Sequence, residues 1–353
     1  MIKLLIADDS ALMRKYLGAI FKAEGDFNVC IARNGVEALS LARSFAPDVI
    51  TLDVNMPEMD GITCLSRIMV ECPKPVVMVS SLTTRGAEVT LQALALGAVD
   101  FIAKPDGTVS LHIEEIAAAL VAKVRIAARA RLRQSRGLLD RVRYATREPE
   151  RQRPVLQGQG AGLLAGIVLV GVSTGGPGAI ETIIPRLPAD FPWPIVIAQH
   201  MPESFTGVFA RRINGLSALE VVEVTRPMPL RRGVVYVGRG DADLVVGNRG
   251  NEPTAIPMPA SPRHHWHPSV ERLVASAMEH FDPKRLLGVM LTGMGDDGAE
   301  AMADLRLRGG RTIAEAEETA VVWGMPGELV RRGGASVVLP LQRVADQIRH
   351  WTK

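Results

Sequence analysis

The chain has 353 residues, enough for two domains of ordinary size, each with its own core. Apolar residues make up 47%, and no apolar run is long enough to span a bilayer, which excludes a helical integral membrane protein. The net charge of +3 misleads: residues 125–153 hold ten arginines, no lysine and three acids, and the remainder carries 31 basic against 35 acidic residues, so no Lys/Arg cluster marks a nucleic-acid footprint.

The N-terminus, Met1-Ile-Lys-Leu-Leu-Ile-Ala-Asp-Asp9, reads as a short strand running into carboxylates, not as a signal peptide. Residues 1–125 alternate short apolar strands with helical patterns. The strands are Lys3–Ala7, Val29–Ile31, Val49–Leu52, Val76–Ser80 and Phe101–Ala103, apolar as in a parallel sheet buried on both faces. The first helix is expected over Ala11–Ala23, with Leu12, Tyr16, Leu17, Ile20 and Phe21 on its inner side. Residues 126–162 lose this periodicity and form an Arg/Gln/Gly-rich linker, helical at first. Residues 163–353 resume the alternation with strands over Ile167–Val172, Ile195–Gln199, Val221–Val224, Val234–Val237, Leu244–Gly247, Arg311–Ala314 and Ser336–Leu339, plus the apolar run Leu286–Gly295. The close spacing of the middle strands predicts a β-hairpin beside a mainly parallel sheet. The fold class is α/β, with two doubly wound domains whose sites lie at the carboxyl ends of the strands. Cys30, Cys64 and Cys72 lack metal-ligand spacing, and their odd number argues for reduced thiols in a cytoplasmic protein.

In the first domain Asp8 and Asp9 leave one strand and Asp53 another, so the three carboxylates are expected within a few ångströms. That cluster would repel itself without a cation, and an all-oxygen set favours Mg²⁺. Lys104 ends the fifth strand ahead of Pro105, and Ser80 ends the fourth. Asp53 thus sits beside a metal, a cation and a hydroxyl, a setting that can accept a phosphoryl group. Together with Asp53-Val-Asn-Met-Pro-Glu-Met-Asp-Gly61, these residues resemble the receiver domain of two-component response regulators, a flavodoxin-like fold, across residues 1–125. The resemblance implies Asp53 as phosphoacceptor; Asp8, Asp9, Asp53 and the Asn55 carbonyl as Mg²⁺ ligands; Ser80 and Lys104 at the phosphoryl group; Phe101 as a rotating aromatic; and a histidine kinase as phosphodonor.

In the second domain three apolar runs stop at a nucleophile, a base and a carboxylate pair: Ser173, His200 and Asp296–Asp297. Gly171-Val-Ser-Thr-Gly175 fits a G-x-S-x-G elbow between strand and helix, the helix running over about Pro177–Arg186. The order Ser…His…Asp differs from that of the α/β-hydrolases, and the register of the glycines excludes a dinucleotide site. Hydroxyl, imidazole and carboxylate are expected to join in one hydrogen-bonded chain.

Gly171-Val-Ser-Thr-Gly-Gly-Pro177, Gln199-His-Met-Pro202, Leu291-Thr-Gly-Met-Gly-Asp-Asp-Gly-Ala299 and Glu317-Glu-Thr-Ala-Val-Val-Trp-Gly-Met-Pro326 are similar to the CheB-type protein-glutamate methylesterases of bacterial chemotaxis. The resemblance implies an esterase that removes methyl groups from chemoreceptor glutamate esters, with deamidation of receptor glutamines in many members. It implies Ser173 as nucleophile, His200 as base, Asp297 as its orienting acid and the Met294 N–H in the oxyanion hole. It implies no cofactor for that reaction and a receiver that packs over the esterase face until phosphorylated. Asp296, where the family often has asparagine, is expected to be exposed or to cap the next helix. The chain departs from the family at Gly238-Arg-Gly-Asp-Ala-Asp243 and at His267. His264, His265 and His267 lack zinc-ligand spacing and read as a surface loop. A monomer without membrane insertion is expected. The rivals are the same esterase acting in a non-chemotactic pathway, and a non-catalytic phosphate sink, against which a full triad argues.

Overall fold

The computed structural model describes residues 1–81, 83–104, 109–130, 164–250 and 252–353, and the chain divides into two compact units, Met1–Arg147 and Glu148–Lys353. Most of the expected linker, and Pro105, lie outside the described residues. Among the described residues, no helix is long and apolar enough to cross a membrane.

The first unit is built on five strands: β1 (Ile2–Ala7), β2 (Phe27–Ala32), β3 (Val49–Asp53), β4 (Val76–Ser81) and β5 (Asp100–Lys104). They pair in parallel in the order β2-β1-β3-β4-β5, the doubly wound flavodoxin-like order. Leu4, Leu5, Ile6, Ile50 and Leu52 are fully buried, as a sheet covered on both faces requires. Helix α1 (Ala11–Ala23) is capped by Ser10, which accepts from Met13 N. Its buried face is Met13, Leu17, Gly18 and Phe21, and Leu12 is exposed. The expected face was therefore rotated by one position: Met13, not Leu12, completes the i, i+4, i+8 row with Leu17 and Phe21. Helices α2 (Gly35–Ser44), α3 (Gly61–Glu71), α4 (Thr84–Leu96) and α5 (Val109–Ala127) complete the unit.

The second unit centres on a seven-stranded parallel sheet in the order β15-β14-β13-β6-β7-β10-β8. The strands are β6 (Ile167–Val172), β7 (Ile195–Gln199), β8 (Glu220–Val224), β10 (Val234–Gly238), β13 (Leu286–Met290), β14 (Arg311–Glu315) and β15 (Val337–Leu339). From β6 the chain winds outward through β7 and then, after β13, in the opposite sense, so the switch point lies between β6 and β13. The expected hairpin is present, with Leu244–Gly247 in its first arm and an unforeseen strand as its second. Val221–Val224 and Val234–Val237 lie in adjacent parallel strands. The antiparallel pair is β11 (Ala242–Arg249) with β12 (Glu252–Pro259), which with β9 (Met228–Pro229) forms a separate three-stranded sheet. β12 carries prolines at 253, 257 and 259, which hid it from a reading based on strand propensity.

The elbow helix is α6 (Gly176–Ile183), followed by a 3₁₀ turn over Ile184–Arg186. Pro185 has no N–H for a further α-helical bond, so the last turn tightens. Then come α7 (Glu203–Leu216), α8 (Val270–His280), α9 (Ala299–Leu307), α10 (Met325–Arg331) and α11 (Leu341–Trp351). The core of the unit packs Leu169, Val196, Val270, Leu273, Met290 and Met302 between sheet and helices.

In the first unit one close approach fixes the loop after β3. A Cβ on Gly61 would lie 2.0 Å from the Asp53 carbonyl oxygen, and Gly61 N donates to Val54 O. Backbone atoms cannot swing away as a side chain can, so Gly61→Ala should destabilise the receiver by about 1–3 kcal/mol, as overpacking does. Thermal melting followed by circular dichroism checks this.

Candidate functional site

Parallel registry puts the first site together. Asp8 follows β1, Asp53 ends β3 and Lys104 ends β5. Asp8, Asp9 and Asp53 each bring one carboxylate oxygen within 4.8 Å of the others. Lys104 Nζ lies 2.9 Å from Asp53 Oδ2 and 3.0 Å from Asp8 Oδ2. Asp8 Oδ2 is buried, and its charge is met by this same ammonium. Burial pushes Asp53 up to about 6 against the pull of Lys104, and Asp8 and Asp9 add to the rise. Burial alone would lower the Lys104 pKa, but Asp53 and Asp8 hold it above its usual value. Three clustered carboxylates sharing one ammonium fit a hard divalent cation, so the residues present suit Mg²⁺. Ser80 is buried, its hydroxyl donating to Gly86 O at 3.3 Å. Asn55 is exposed two residues past Asp53. Phe101 is buried, with Lys123 Nζ 5.3 Å from its ring centre.

The second site lies at the switch point. Val172 pairs with Gln199, so Ser173 and His200 leave adjacent strand ends, and His200 N donates to Val172 O. Across the other edge of β6, Met290 pairs with Gly171 and Leu291 N donates to Gly171 O, which brings in the loop after β13. Ser173 N donates to Thr292 O, and Gln199 Nε2 donates to the carbonyls of Ser173 and His200. Thr292 in turn donates its N–H to the buried Glu315 carboxylate and its hydroxyl to Thr174 O.

Asp297 is buried and accepts four donors. His200 Nε2 approaches Oδ2 at 2.8 Å, and Val270 N donates to the same oxygen at 2.7 Å. Ser269 Oγ and Glu271 N donate to Oδ1 at 3.0 and 3.1 Å. Burial alone would raise the Asp297 pKa; His200 and the backbone N–H groups of Val270 and Glu271 hold it below the ordinary carboxylate value. Asp296 is exposed and does not cap α9, whose N-cap is Gly298. Gly298 has φ 83°, and a Cβ there would lie 2.2 Å from Val270 Cγ1, so this turn admits only glycine beside the Asp297 clamp.

The expected three-part chain is thus present in one of its two links. His200 and Asp297 are joined, but Ser173 is not hydrogen-bonded to His200: Nδ1 of His200 is buried and has no partner among the described residues. Ser173 is half-buried, and a Cβ on Gly293 would lie 2.8 Å from its own Cβ. Among the described residues, no acceptor takes the Met294 N–H. Sequence reasoning missed Gln199, Ser269, Thr292, Glu315 and Trp266. Ser269 carried a signal, since a serine ahead of an apolar-periodic run marks an N-cap, and Ser269 caps α8 by accepting from Arg272 N. His267 faces inward to Asp243 at 2.8 Å rather than lying in a solvated loop.

Comparison with known proteins matches the same two regions of the chain. The family described as CheB methylesterase matches residues 168–348, and the one described as response regulator receiver domain matches residues 4–114. A protein-glutamate methylesterase/protein-glutamine glutaminase of Rhodospirillum rubrum is 58% identical over 99% of this chain and 96% of its own length. Another, from Rhodopseudomonas palustris, is 56% identical over 99% and 98%. The crystal structure of the Thermotoga maritima CheB methylesterase catalytic domain aligns with a TM-score of 0.51 at 35% identity, covering 52% of this chain and 97% of that one.

A carboxylate whose pKa is held down in the folded state stabilises the fold above its unfolded pKa, and that contribution is lost as pH falls through the lowered folded value. Asp297→Asn removes it. The gap in urea midpoint between wild type and variant should be widest at neutral pH and narrow on acidification below about pH 4. All four tryptophans (Trp193, Trp266, Trp323 and Trp351) lie in the second unit, so their fluorescence follows this unit alone.

Proposed function

The chain belongs to the CheB methylesterase family, and we propose that it hydrolyses glutamate methyl esters on chemoreceptor proteins through Ser173, His200 and Asp297. The observation that carries the residue roles is the hydrogen bond from His200 Nε2 to Asp297. With that nitrogen holding the proton, Nδ1 is left as the lone pair that can take another. Ser173 Oγ attacks the ester carbonyl while its proton passes to Nδ1. The Met294 N–H receives the negative charge on the carbonyl oxygen, a stabilisation worth several kcal/mol where donors are fixed beforehand, roughly 3–4 for one donor. The same proton leaves with methanol, and water then cleaves the acyl-enzyme by the reverse proton path. A glutamine side-chain amide fits the same route with ammonia as leaving group, and the relatives' names carry both activities.

The receiver supplies control. Asp53 accepts the phosphoryl group from a histidine kinase, and Asp8, Asp9, Asp53 and the Asn55 carbonyl are the groups to hold Mg²⁺. The ion supplies neutralising charge at the phosphoryl oxygens when bound. Lys104 and Ser80 then contact the phosphoryl group, and Phe101 relays the change. A bias of ~1.4 kcal/mol in favour of the active state suffices for a tenfold rise in its ratio to the inactive one.

Two variants test this reading. Ser173→Ala should lower methanol release from methylated receptor by at least about 10³-fold; release at the wild-type rate rejects the esterase assignment. Asp53→Asn should keep the basal rate yet no longer respond to a small acyl-phosphate donor with Mg²⁺. Chelation of Mg²⁺ should abolish the wild-type response in the same way, and a response that survives either change removes Asp53 or the ion from the switch.

A further inference from the structure

The segment between β12 and α8, residues 260–269, serves the second site twice. Its C-terminal end leads into Ser269, Val270 and Glu271, three of the donors on Asp297. Before them comes Trp266, whose ring lies parallel to the His200 imidazole, with centroids 5.8 Å apart and planes 8° off. The far edge of the indole packs on the oxyanion loop: a Cβ on Gly295 would lie 2.6 Å from Trp266 Cη2. His265 meets the indole edge-on at 5.2 Å. Trp266 is therefore wedged between the imidazole and the residue after Met294.

A loop of this length holds such a wedge only if something holds the loop. That something is Asp243, at the start of β11, whose side chain is fully buried. Its Oδ2 accepts from Ser261 N at 3.0 Å and from Arg272 Nη1 at 2.7 Å. Its Oδ1 accepts from His267 Nδ1 at 2.8 Å and from Ser269 N at 2.9 Å. One carboxylate thus ties both ends of the segment and the first turn of α8.

We propose that Asp243 and Trp266 are positioning residues for the ester hydrolysis: Asp243 fixes the 261–269 segment, and Trp266 on that segment sets the plane of the His200 ring against the oxyanion loop. The inference rests on the esterase reading above. A single hydrogen bond to Asp297 fixes one point of the imidazole but leaves its tilt free, and the parallel indole removes that freedom. Neither residue exchanges a proton with substrate.

The test uses full-length protein and two readouts: methanol release from methylated receptor, and the rate at which a small fluorophosphonate labels Ser173. Trp266→Ala should lower kcat by about 10–100-fold, the scale of a misplaced catalytic group, with KM within about threefold, and slow labelling in parallel. Trp266→Phe keeps a flat ring and should recover to within about threefold of wild type. Asp243→Asn should lower kcat about tenfold, and His267→Gln, a milder cut at the same carboxylate, should lower it by less while leaving Tm unchanged. Wild-type labelling by Trp266→Ala, a change confined to KM, or Phe as impaired as Ala at unchanged Tm overturns the role of Trp266. Unchanged kcat in both Asp243→Asn and His267→Gln overturns that of Asp243; should Asp243→Asn fail to fold, His267→Gln decides alone. Wild-type protein that takes no label and releases no methanol overturns the esterase reading and this inference with it, whereas wild-type turnover with unimpaired variants overturns this inference alone.

Discussion

The second unit depends on a buried carboxylate that is fully paired. Removing a carboxylate from water costs several kcal/mol unless donors replace the solvent, and Asp297 receives four. Two are N–H groups of the first turn of α8, which have no partner within the helix, and a third is the hydroxyl of its N-cap Ser269. The fourth is the imidazole. Because the first three saturate most of the carboxylate, the fourth is directional and fixes which nitrogen of His200 carries a proton. The site thus uses a helix terminus to set a tautomer. The nitrogen that faces Asp297 is Nε2, and Nδ1 is left without a partner among the described residues.

The receiver solves a related problem the other way. Asp53 is as buried as Asp297, but its surroundings are one ammonium and two further carboxylates instead of backbone donors. Its pKa is accordingly pushed up to about 6, whereas that of Asp297 is held down. Asp297 is saturated with donors, whereas Asp53 and Asp8 share a single ammonium.

The alternation of elements and the residues that end strands were legible in the sequence, because parallel strands buried on both faces read as short apolar runs and their carboxyl ends cluster by topology. What was not legible depended on partners distant in sequence. Gln199 reads as a polar residue at a strand end until Ser173 and His200 are adjacent, whereupon its amide bridges their two carbonyls. The roles of Ser269 and Trp266 need the β12–α8 connection to fold back over Asp297, which no local pattern announces. The second arm of the hairpin was missed because three prolines lowered the strand propensity of β12, although its register with β11 runs over eight pairs. The hidden face of α1 was misjudged by one position because Leu12 and Met13 are both apolar, and only packing distinguishes them.

The unmade bond between Ser173 and His200 is informative in this light. The Ser173 backbone is fixed on both sides: its N–H is bound to Thr292 O, and its carbonyl accepts from Gln199 Nε2 and from Gly176 N. His200 is fixed by Asp297 and by the ring of Trp266. The freedom left at Ser173 is therefore rotation about a single side-chain bond, which moves among three staggered positions. Ordering one such rotor costs far less than ordering a loop, for which each residue's backbone alone takes about 1–2 kcal/mol. What separates Ser173 from His200 is thus a hydroxyl rotor, while the backbone on either side of it is already held by hydrogen bonds.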